Sequence, residues 1–78
     1  MKIVLDGRKM RDKAATHAYL KEQLRLPEYY GNNLDALYDC LTELTEKPEI
    51  QIEHMEEMKQ SLGEYAVALL ETIQDAIS

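Results

Sequence analysis

The sequence has a single cysteine, Cys40, so no internal disulfide can form, and the His and Cys spacing of a metal centre is missing. No apolar run approaches the roughly 20 residues that a membrane span needs. There are no repeats, low-complexity tracts or linkers. Basic residues are scarce after the first third, since residues 28–78 hold only Lys47 and Lys59 against twelve acidic groups. Phosphate contacts need Lys and Arg, so a surface this short of them is unsuited to nucleic acid. Length is short as well. A chain of 78 residues makes one domain, spanning residues 1–78, and leaves little room for both a core and a deep substrate pocket.

What is present describes an ordinary soluble globular domain, 45% apolar and 31% charged. The net charge of −6 hides an asymmetry. Residues 1–27 carry seven basic and three acidic groups, a surplus of four positive charges, while residues 28–78 carry a surplus of ten negative ones. Such an acidic surface keeps a small protein in solution, and it also draws in a basic partner and speeds the encounter. With one cysteine and an opening run that reads as a strand rather than a signal peptide, the reducing cytoplasm is the expected location.

Residues 2–6 (Lys-Ile-Val-Leu-Asp) form a short apolar run closed by Asp6-Gly7, a turn signal. A continuous run of this kind predicts a strand covered on both faces. Asp12 is a plausible N-cap for a helix to about Leu24, with Ala14, His17, Ala18, Tyr19, Leu20 and Leu24 on its inner side; Leu26-Pro27 ends it. After the loop Glu28–Asn32, a second helix runs from near Asn33 to about Glu43, capped by Asn32 or Asn33. Residues 49–53 (Glu-Ile-Gln-Ile-Glu) alternate strictly and predict a half-buried strand. His54 to Leu62 is a short helix ended by Gly63, and Glu64 to Ile77 is the last, with Leu69, Leu70, Ile73 and Ile77 in the core. The fold class is α/β, a small parallel sheet with two visible strands packed with about four helices.

The second helix carries most of the functional information. With one residue every 100°, Leu34, Leu37, Leu41 and Leu44 fall within an arc of about 80°, a core stripe. Asp35, Tyr38, Asp39 and Thr42 gather on the other side within about 100°. Two like charges at i and i+4 repel, and only Asp35, in the first turn, is helped by the helix dipole. Aspartate at position 39 is therefore a poor local choice, which suggests a constraint from outside the helix. Helix geometry alone fits a solvated polar face and a docking surface equally. Tyr29 and Tyr38, expected to be exposed, favour docking, because tyrosine combines apolar area with a hydroxyl at low entropy cost. Tyr30 is expected to pack inside.

The unbroken segment Leu26-Pro27-Glu28-Tyr29-Tyr30-Gly31-Asn32-Asn33-Leu34-Asp35-Ala36-Leu37-Tyr38-Asp39-Cys40-Leu41-Thr42 closely resembles the barstar family, cytoplasmic inhibitors of the secreted bacterial ribonuclease barnase. The opening strand, His17 and Leu20 in the first helix, and the strand after Pro48 follow the same order. The resemblance implies an intracellular, bacterial inhibitor or immunity protein that plugs a basic, barnase-type ribonuclease one-to-one, using an acidic helix face that mimics RNA phosphate. On that footing the partner-binding residues are Tyr29, Asn33, Asp35, Tyr38, Asp39, Thr42 and Leu44, with Asp75 of the last helix. Asp39 matches the aspartate that enters the nuclease site. Tyr38 and Leu44 stand where the family has tryptophans, and Glu43 replaces a glycine. The family also closes with a third strand rich in Ile and Leu, with no counterpart here after the last helix. Three readings fit that difference: a truncated sequence, a sheet for which two strands suffice, or a sheet completed by another chain, the last being self-association through the uncapped edge.

Other readings fare worse. An acid/base pair of Asp35 and Asp39 assisted by His17 or His54 would need an enclosed site, which one exposed helix face does not supply. Cys40 falls toward the core's margin and reads as structural. The acidic residues are spread over helices rather than gathered in a calcium-type loop. No cofactor is implied, and neither a membrane nor a nucleic-acid partner is expected. The rival that remains is an immunity or regulatory protein of the same fold directed at a different basic toxin or nuclease.

Overall fold

The computed structural model describes residues 2–78. Its elements follow in the order β1 (Lys2–Asp6), a 3-10 turn (Gly7–Lys9), α1 (Lys13–Leu24), α2 (Leu34–Thr42), β2 (Glu49–Glu53), α3 (Met55–Leu62) and α4 (Glu64–Ile77). The strands pair in parallel, with Ile3 beside Ile50 and Leu5 beside Ile52. α2 packs on α4, and α3 on the 3-10 turn and α4. No helix among the described residues is long and apolar enough to cross a membrane.

Local chemistry explains the boundaries. The Asp12 carboxylate accepts from Ala15 N–H at 2.7 Å and starts α1. Arg25 ends it in the left-handed conformation, φ 53°. Gly7 is required by a close approach of chain to chain, because a Cβ there would collide with the backbone carbonyls of Glu53 and His54 at the end of β2. Beside it, the Arg8 guanidinium clasps both carboxylate oxygens of Asp6 and holds that carboxyl at about 2. His54 holds the N-cap position of α3 in a left-handed conformation, exposed and without a side-chain capping bond.

The core is built from Leu5, Met10, Leu20, Leu37, Leu41, Met58 and Leu69, all fully buried. Two sequence expectations are corrected here. β1 is not covered on both faces: Val4 is 45% exposed, because in a two-stranded sheet only the side bearing Ile3 and Leu5 meets helices. On α1, Ala14 and Ala18 face solvent, and Thr16 is buried together with His17, Leu20 and Leu24, its hydroxyl satisfied by donation to the Asp12 carbonyl at 2.7 Å. α2 runs to Thr42 with Glu43 as its C-cap, as the spacing predicts.

Beyond the free edge of β2 lies a groove of about 350 Å³ lined chiefly by Ile50, Ile52, Met55, Leu70, Ile73 and Ile77. Leu70 and Ile77 of α4, expected in the core, are only partly buried because they overhang this open edge.

Candidate functional site

α2 is held by groups that leave its outer face free. Asn33, not Asn32, is the N-cap: its side-chain oxygen accepts from Ala36 N–H at 2.8 Å, and its amide donates to the Gly31 carbonyl at 3.2 Å. Asn32 takes the left-handed turn before it, φ 54°, a conformation asparagine tolerates. At the other end, the Lys47 ammonium donates to the Thr42 and Leu44 carbonyls, each at 2.7 Å, closing open carbonyls with positive charge. Leu37, Cys40 and Leu41 anchor the inner side.

The outer side presents what the spacing predicts. Asp35, Tyr38, Asp39 and Thr42 are all exposed on α2, and Tyr29 stands out of the preceding loop with 78% of its surface exposed. Tyr38 is 43% exposed. Among the described residues neither Asp35 nor Asp39 is paired with a cation of its own chain; the ion pairs there are Arg8–Asp6 and Lys21–Glu28. Two carboxylates one helical turn apart thus share a face with the Tyr38 phenol and, among the described residues, no internal counter-charge.

The remaining expected site residues are placed differently. Asn33 is exposed, but its side chain is engaged in capping, so it shapes the loop as well as bordering the face. Leu44 follows the end of α2, half-buried against the core, and lines a cavity of about 240 Å³ with Leu26, Pro27, Tyr29, Cys40 and Glu43. Asp75 stands exposed on α4, a different element from the rest. Cys40 is buried, and burial, with Glu43 and Asp39 nearby, raises its thiol pKa, which suits a structural residue.

Sequence reasoning missed one arrangement at the back of this surface. His17, expected to be partly buried, is 1% exposed. Both of its ring nitrogens meet a tyrosine hydroxyl at 2.6 Å, Nδ1 that of Tyr30 and Nε2 that of Tyr65. Tyr65 had given no signal, because nothing in the local pattern at the start of α4 places it beside α1. Among the described residues, no group of three or more His, Cys, Asp or Glu side chains is arranged to hold a metal ion.

A family model described as Barstar (barnase inhibitor) matches residues 1–78. The protein named "Putative ribonuclease inhibitor YrdF", of Bacillus subtilis (strain 168), is 43% identical over 76 residues, covering 96% of this chain and 84% of that relative.

Proposed function

The chain belongs to the barstar family, and from that footing we propose that it inhibits a basic, barnase-type ribonuclease by laying the outer face of α2 across the enzyme's active site. The observation that carries this reading is the pair of exposed, unpaired carboxylates Asp35 and Asp39 on a helix capped at both ends. A nuclease site holds Arg, Lys or His groups for phosphate, and a carboxylate accepts charge-assisted, bidentate bonds from Arg much as phosphate does. Asp39 takes the phosphate's place. Asp35 adds to the field that steers the encounter. Tyr29 and Tyr38 supply the apolar area that excludes water around the charged contact. Because the caps fix the helix beforehand, little ordering is needed on binding. The protein is then an inhibitor, not an enzyme, acting one-to-one inside the cell.

The test is titration of the protein into a barnase-type ribonuclease while following RNA cleavage. The expected result is a linear loss of activity reaching zero at one equivalent. Undiminished cleavage at micromolar inhibitor overturns the choice of target, and inhibition of a different basic nuclease, lost in Asp39→Ala, would assign the same surface to that enzyme.

A further inference from the structure

The His17 imidazole sits where three elements meet: on α1, against Tyr30 of the loop before α2 and Tyr65 at the start of α4. Its ring lies 5.8 Å from the Tyr30 ring and 6.0 Å, edge-on, from the Tyr65 ring. Tyr30 directly follows Tyr29, and its backbone N–H closes a turn on the Pro27 carbonyl at 3.0 Å. One buried imidazole therefore ties the loop bearing Tyr29 and the Asn33 cap to the helix that packs on α2.

Hydrogen accounting fixes how it does so. A neutral imidazole has one N–H, so one tyrosine must donate to it and the other must accept. Tyr30 is only 5% exposed, and burial raises its phenol pKa, so it keeps its proton. The Tyr30 hydroxyl has no hydrogen-bond partner other than Nδ1 among the described residues, so it donates there. Nε2–H then donates to Tyr65 Oη, and Tyr65, half-buried, can turn its own hydrogen to water. We propose that His17 is a positioning residue for the docking surface: neutral, it holds the Tyr29–Asn33 loop in shape, and a proton gained at Nδ1 releases Tyr30 and loosens that loop.

The surroundings fit such a device. The titratable and charged groups around the imidazole are Tyr30, Tyr65, the Lys13 ammonium 4.7 Å over the Tyr65 ring, and Cys40 of α2, near enough to act on Tyr30. No carboxylate among the described residues is bonded to the ring to favour its charged form, and burial lowers its pKa. Acidification thus sets a proton against a donor that has nowhere else to point.

The consequence for inhibition rests on the docking reading, but the tether itself is testable on the free protein. Amide hydrogen-exchange protection factors are measured by NMR at pH 7.5 and pH 5.5 for wild type, His17→Gln and Tyr65→Phe. The expected result is protection of the Tyr30 amide, which bonds to the Pro27 carbonyl, about tenfold lower at pH 5.5 than at pH 7.5 in wild type, and below that of the β1 and β2 amides at both pH values. His17→Gln should show the loosened loop at both pH values; if it does not fold, Tyr65→Phe should show part of it at pH 7.5. Loop protection that ignores pH in wild type, or that equals the strands' at both pH values and so reports only global unfolding, overturns the proposal. A loop that loosens in acid while inhibition stays constant leaves the tether standing and removes the loop from the docking surface.

Discussion

The molecule has two open faces, and they are unfinished in opposite ways. The outer side of α2 is locally complete: both helix ends are capped, and what it lacks among the described residues is counter-charge for Asp35 and Asp39. The free edge of β2 lacks a neighbour rather than a charge, leaving Ile50, Ile52, Leu70 and Ile77 half-covered beside a groove. A face short of counter-charge selects partners by sign and geometry, whereas an apolar groove selects mainly by area. The proposed binding to a nuclease is therefore placed on α2 and the loop before it rather than on the β2 edge.

The largest expected effect separates the faces directly. Asp39→Ala should weaken inhibition by at least about 100-fold, the cost of leaving a desolvated cationic site unpaired, a ribonuclease–inhibitor pair of this same family being among the systems behind that range. Inhibition assays on the folded variant check it. Next comes salt: raising ionic strength from about 0.05 to 0.5 M should slow association by about an order of magnitude in stopped-flow measurements. Asp35→Asn should flatten that slope, and Ile77→Glu, on the other face, should leave it intact.

Acid stability comes third. Burial lowers the His17 pKa below its ordinary 6.5, so the unfolded chain takes up a proton that the folded chain resists. Stability is then full at and above neutral pH and falls as pH drops below about 6.5, a trend that His17→Gln should flatten in denaturant titrations. Asn33→Ala removes a cap worth about 1 kcal/mol and should lower the unfolding midpoint accordingly. The smallest effect is expected from Asp75→Ala, an exposed charge on α4, whose affinity change should stay within about threefold.

The parts of this account that were legible in the sequence are those set by short-range chemistry. Asp12 and an asparagine at 32 or 33 announce helix starts, and the leucines of α2 give its inner side by spacing alone. Asp35, Tyr38 and Asp39 follow as the outer side. What was not legible depends on how many neighbours an element finds. The run in β1 reads as doubly buried, yet Val4 is exposed because the sheet holds only two strands. α1 has small residues on several sides, so Ala14 and Ala18 could not be told from Thr16 without knowing where the sheet lies. The His17–Tyr65 contact joins residues 48 apart, a distance no periodicity reports.

The most direct test of the central claim is amide chemical-shift mapping of the labelled protein on addition of an unlabelled barnase-type ribonuclease. The account predicts perturbations concentrated over residues 29–43, with Tyr29, Asp35, Tyr38 and Asp39 among them and the β2 edge unaffected. Perturbations concentrated instead on residues 50–55 and 70–77 would contradict it.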